Sequence, residues 1–198
     1  MVKSLVSLAS FAFAFGGTGV GAQELEDDRP RAELTLSDDT LQVRYIDSGK
    51  NVDLGRGSRA AAGVFLSEER DIVLNADVLF PADRVFNRLE LLFGPRAYAA
   101  LLENENEDVL AVSLGVEMRY ELDPGSGLAV AGQAFYAPDI LTFGSANNLT
   151  DLMARVELQV QPRLTAYAGM RWFEFELPEG AGKRTLQEEL FAGIGWRF

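Results

Sequence analysis

Arg155 and Glu157 stand two residues apart in Asp151–Gln161, a segment whose intervening positions read Leu152, Ala154, Val156, Leu158 and Val160. Side chains two apart share one face of a strand, so this segment sorts charge to one side and hydrocarbon to the other. The same sorting recurs along the chain. It collects Arg44, Arg59, Asp77, Arg88, Glu90, Arg96, Glu117, Arg119, Arg155, Glu157, Arg171, Glu189 and Arg197 opposite the apolar set. Guanidinium and carboxylate groups held on one face form short, charge-assisted hydrogen bonds. The chemistry on offer is therefore a ladder of ion pairs, not a reaction.

Residues for a reaction are missing. The chain has no histidine, which removes the imidazole bases of Ser-His and Asp-His hydrolases, and no cysteine, which removes thiol catalysis. Asp27-Asp28 and Asp38-Asp39 are paired carboxylates, but adjacent strand residues point to opposite faces, so they read as linker and turn residues. No phosphate-cradling loop and no metal-ligand cluster occurs, so neither a cofactor nor a resident metal is expected. Asn148-Leu149-Thr150 has the spacing of a glycosylation sequon, a pattern short enough to arise by coincidence. The net charge of −12 excludes nucleic acid as a partner, because phosphate neutralisation needs a basic surface. The acidic runs Glu24–Asp28, Glu68-Glu69 and Glu103–Asp108 read as solvated loops. Their oxygens also suit Ca²⁺ or Mg²⁺ bridges to lipopolysaccharide phosphates, although no spacing matches an EF-hand loop.

The elements that would carry the ladder emerge from the C-terminus backward. Alternation predicts strands over Thr185–Phe198, Arg163–Leu177, Asp151–Gln161, Gly127–Ala137 and Asp108–Leu122. Earlier strands are predicted over Arg88–Leu102, Ile72–Phe80, Ser58–Leu66, Leu41–Ile46 and Ala32–Leu36. Pro95 predicts an edge, a bulge or a local break. Pro178–Lys183, Asp123–Gly127 and Gln161–Arg163 are turns, and Pro138–Asn148 is a longer loop. Asp47–Gly57 is long for a turn.

The chain closes on Phe191-Ala-Gly-Ile-Gly-Trp-Arg-Phe198, a strand with Leu190, Ala192, Ile194 and Trp196 on one face. A terminal aromatic carboxylate on such a strand resembles the closing strand of bacterial outer-membrane barrels, with Trp196 and Phe198 as the assembly signal. At the other end, Met1-Val2-Lys3 leads into an apolar run to Phe15, and Val20-Gly21-Ala22 offers small residues for cleavage after Ala22. Gly16, Gly17, Gly19 and Gly21 spoil the alternative, a membrane helix of about 20 apolar residues. The expected organisation is a secretory leader over 1–22, an acidic linker over 23–30 and a barrel over 31–198.

Without a long apolar run, a chain crosses a bilayer only as a closed barrel. We therefore expect an all-β, antiparallel transmembrane barrel of about ten strands. Eight is the count if Ala32–Ile46 forms a plug or an irregular entry. Both termini lie in the periplasm, with short turns on that side and longer loops outside. An arginine in lipid costs about 2–4 kcal/mol near the midplane, so the charged face must point inward. Arg88, Glu90, Glu117, Arg119, Arg155, Glu157, Arg171 and Arg197 are the candidate lumen-facing charges. A barrel this narrow holds mostly side chains, which favours a plugged interior over a narrow path for ions or small solutes. Trp172, Phe173, Phe175, Tyr120, Tyr136, Trp196 and Phe198, near strand ends, are girdle candidates.

Over Gln133-Ala-Phe-Tyr-Ala-Pro-Asp-Ile-Leu-Thr-Phe143, Ala154–Pro162 and Ala166–Arg171, the sequence resembles the YfaZ family of bacterial outer-membrane proteins. The resemblance covers about Gly115–Phe198 and implies a leader, an outer-membrane barrel and no established enzymatic activity. The expected role is a small integral barrel, structural or weakly pore-forming, with a salt-bridged lumen. Its partners are outer-membrane lipid and lipopolysaccharide, with periplasmic chaperones and the barrel-assembly machinery during biogenesis. The rival reading is a soluble periplasmic barrel of lipocalin type, whose apolar face would line a ligand cavity.

Overall fold

A computed structural model describes residues 29–48, 53–82, 88–102, 107–123, 125–177 and 182–198. The predicted leader, most of the acidic linker and the centres of the Glu103–Asp108 and Pro178–Lys183 connections lie outside the described residues. The strands are β1 (Arg31–Ser37), β2 (Thr40–Ser48), β3 (Arg59–Ser67), β4 (Ile72–Pro81), β5 (Leu89–Leu102) and β6 (Glu107–Asp123). They continue as β7 (Leu128–Ala137), β8 (Thr142–Gly144), β9 (Asn148–Gln161), β10 (Leu164–Glu176) and β11 (Lys183–Arg197).

Each strand pairs antiparallel with its neighbours in the ring, β5 pairs with β6, and β1 pairs with β11 from Arg31 opposite Arg197 to Ser37 opposite Phe191. The sheet therefore closes and leaves no edge, which is the condition for backbone to stand in hydrocarbon. β8 is not an additional barrel strand. It continues β7 along the same edge of β6, after Pro138–Leu141 loop outward with a turn of 3-10 helix. The barrel has ten strands, and Ala32–Ile46 supplies two of them. The predicted loop Pro138–Asn148 is thus partly strand.

Sidedness follows the alternation. Leu34, Val43, Val64, Leu74, Phe93, Leu114, Met118, Val156, Met170 and Ile194 are exposed, while Glu33, Arg44, Asp77, Arg96, Asp151, Glu157 and Arg171 are buried. This is the reverse of a lipocalin. Pro95 faces outward, and the β4–β5 ladder omits the Val78-Leu79 and Gly94-Pro95 pairs, a local break of the kind the missing proline N–H requires. A Cβ on Gly94 would lie 2.1 Å from the Val78 carbonyl oxygen, so only glycine fits that approach.

Connection lengths depart from expectation. The end that carries both termini holds the connections at 49–58 and 82–88 as well as the tight turns at 124–127 and 162–163. Within the first of these, Asp53, Gly55 and Gly57 adopt positive φ, and Ser58 Oγ donates to the Gly55 carbonyl at 2.6 Å. Gly57 lies against the Pro81 ring, so residues 53–58 form a folded turn packed on the end of β4.

Candidate functional site: an ion-paired barrel interior

The inward faces divide into layers along the barrel axis. Toward the end away from the termini, Phe65, Val73, Tyr98, Val109, Leu149, Phe173, Phe175 and Leu186 form an apolar layer with small residues such as Ala111 and Ala137. Phe173 is its hub, edge-on to Phe65 and tilted against Tyr98 and Phe175, with ring centroids 5.6–5.7 Å away. Below it the strands present charge.

Arg96 on β5 lies at the centre of the charged layer. Its Nε donates to Asp77 Oδ2 at 3.1 Å, its Nη2 to Glu117 Oε1 at 2.6 Å and its Nη1 to Gln133 Oε1 at 3.2 Å. The guanidinium carbon lies 3.7 Å from the Phe135 ring centroid, which adds a cation–π contact to the ion pairs. Arg44 on β2 donates to Asp77 at 2.6 Å and to Glu117 at 3.1 Å, and Arg59 on β3 also pairs with Glu117. Asp151 on β9 links this group to β10. Arg171 grips it in bidentate fashion, Nε to Oδ1 at 2.8 Å and Nη2 to Oδ2 at 2.9 Å. Tyr98 and Gln133 also donate to Oδ2, at 2.9 and 3.2 Å.

A second group spans the barrel nearer the termini. Arg155 on β9 reaches Glu33 on β1 with two bonds of 3.0 and 3.2 Å and donates to Glu157 at 2.8 Å. Arg119 on β6 donates to Glu157 at 2.9 Å and to Glu121 at 2.8 Å. Arg31 pairs with Glu33 at 2.8 Å. Desolvated pairs of this kind persist because each charge has several partners. Near the opposite mouth, Arg184 pairs with Asp71 at 3.0 Å and with Glu69. Asp71 and Glu69 border a depression of about 260 Å³ whose other walls include Asp39, Glu68, Glu188 and Glu189.

Of the candidate charges, Glu117, Arg119, Arg155, Glu157 and Arg171 therefore meet in two interior groups. Arg197 shares their face of β11, half-buried beside the termini. Glu90 stands opposite Arg119 in the register but is solvent-exposed at the strand end. Arg88 is a correction. It precedes β5 in a turn where its carbonyl accepts the Glu121 N–H, so strand alternation does not reach it and the side chain is exposed. Asp151 and Glu33, central acceptors here, were not among the candidates. Burial cannot be read from alternation alone. Trp172 and Trp196 face outward as girdle residues would, whereas Phe173 and Phe175 belong to the interior layer. Trp196 and Phe198 are exposed, and Phe198 packs against Tyr45 with ring centroids 6.2 Å apart. Among the described residues no cluster of His, Cys, Asp and Glu has the geometry of a metal site.

A family model described as YfaZ precursor matches residues 93–198. Among solved structures, the chain is similar to the KdgM porin in complex with disordered oligogalacturonate: 8% identity, TM-score 0.48, covering 85% of this chain and 98% of that one. It is similar to the NanC porin at 10% identity and TM-score 0.39, covering 85% of this chain and 98% of that one. The outer membrane channel DcaP of Acinetobacter baumannii gives 9% identity and TM-score 0.41, over 92% of this chain and 56% of that one. No curated protein matches the sequence. The family model takes in more than half of the chain and runs to its last residue, and with the closed barrel and its outward apolar face the chain belongs to the YfaZ family.

Proposed function

We propose that this protein is a closed, structural barrel of the outer membrane whose lumen carries no steady flow of ions. The observation that supports this reading is the stacking of two barriers across the interior: the aromatic layer around Phe173 and the ion layer around Arg96 and Asp151. A permeating ion would have to part pairs of 2.6–3.1 Å and then cross hydrocarbon. Breaking a buried pair costs about 3–5 kcal/mol, so spontaneous opening is rare. In this reading the leader is removed after Ala22, the assembly machinery reads Trp196 and Phe198, and the finished barrel lies among phospholipid and lipopolysaccharide.

Planar-bilayer recording tests it. The purified protein should add no steady unitary current, and an Arg96→Ala, Phe173→Ala double variant should show flickering leak. Reproducible unitary conductance in the parent would replace a structural role with a weakly pore-forming one.

A further inference from the structure

Solvent reaches the interior unevenly. Along β6 the inward side chains grow wetter toward the termini, from 12% exposed at Glu117 to 28% at Arg119 and 43% at Glu121. In the other half Phe173, Phe175, Leu149, Ala111 and Ala137 expose nothing, whereas in the terminus half a dry wall at Leu79, Leu92 and Ala129 stands beside the wetter charges. The wetter half also holds buried polar atoms without a protein partner: Arg44 Nε and Ser48 Oγ on β2, Arg59 Nε on β3 and Asp77 Oδ1 on β4. These three strands are consecutive, with Ser48 beside Arg59 and with Ile46, Ala61 and Asp77 in one row. Ala61 contributes only a methyl group between them.

A buried polar atom left unpaired is costly, because it gives up its hydrogen bonds to water and gains none in return. Sites offering two to four such atoms hold ordered water instead. We infer that the terminus half of the lumen is a blind, hydrated cup. Water and small polar solutes enter from the end that carries both termini, reach the layer of Arg44, Arg59 and Asp77, and stop at the aromatic layer. The inference rests on the closed-lumen reading and adds a direction to it: the interior communicates with one side of the membrane only.

The chain has no cysteine, so single-cysteine variants report their own surroundings. In proteoliposomes, a charged, membrane-impermeant methanethiosulfonate is offered from either face. Ser126→Cys marks the terminus end and Asp38→Cys the opposite end, and heat modifiability confirms folding. Ala61→Cys and Ala131→Cys should react only from the Ser126→Cys side, at least about tenfold faster than Ala111→Cys and Ala137→Cys. Should Ala61→Cys fail to fold, Ala131→Cys decides alone. Reaction from neither side overturns the cup and leaves the closed barrel standing. Reaction from both sides, or from the Asp38→Cys side, overturns the cup, and from both sides the closed barrel as well.

Discussion

Asp151 exposes no surface, yet it accepts hydrogen bonds from Arg171, Arg96, Tyr98 and Gln133. Removing it leaves the Arg171 guanidinium in a desolvated interior with the neutral Gln42 as its remaining acceptor, while Arg96 keeps Asp77 and Glu117. Asp151→Ala should lower stability by about 3–5 kcal/mol, read from urea unfolding in lipid vesicles. An Asp151→Leu, Arg171→Met double variant should recover much of that loss, because an apolar pair has no charge to leave unpaired. A double variant no better than the single would place the cost in packing instead. One residue away the logic inverts. Met170 is exposed on the outer face, midway along β10, and Met170→Arg should impair insertion by about 2–4 kcal/mol, measured as the folded fraction in vesicles. The side on which Arg171 lies was legible from alternation. Its partner was not, because alternation assigns a face and does not say which charge on the neighbouring strand or across the lumen a side chain reaches: Arg171 meets Asp151 diagonally on β9. Arg155 illustrates the gap: its bidentate partner, Glu33, lies 122 positions away on β1.

At the scale of strands, glycine and aromatic residues face one another across the ladders. Gly115 stands opposite Phe135, Gly193 opposite Tyr167 and Gly169 opposite Phe191. A Cβ at Gly115 or Gly193 would lie 2.3 Å from the opposing ring, so each glycine makes room for an inward aromatic to lie across its neighbour. Gly115→Ala should destabilise the barrel by about 1–3 kcal/mol through overpacking, and Phe135→Leu in the same chain should relieve part of it. Equal losses in the single and double variants would mean that the clash is with the Ala134 carbonyl, 2.4 Å away, rather than with the ring. The strands themselves were legible because ten alternating segments with turn residues between them leave little freedom of register. β8 was not. Its three residues are too few to show a period, and only the partner strand β6 makes them a strand.

For the whole molecule, everything meets at the seam between β1 and β11. Phe198 N–H donates to the Pro30 carbonyl at 3.1 Å, and its ring lies by Tyr45, so the last residue fastens the first strand as well as ending the last. Deleting Phe198 should therefore reduce heat-modifiable barrel in outer-membrane fractions and slow unassisted refolding into vesicles. A loss confined to cells would assign the residue to recognition alone. The seam also has a consequence in time. Its pairs, such as Arg31 with Arg197, join residues at the extremes of the barrel sequence, so no local contact prepares them. Closure of such high contact order is slow. Until it happens, the sheet has two raw edges, each a template for another copy. Dwell time in that open form, rather than the depth of the final energy well, sets how often a nascent chain is lost to its neighbours.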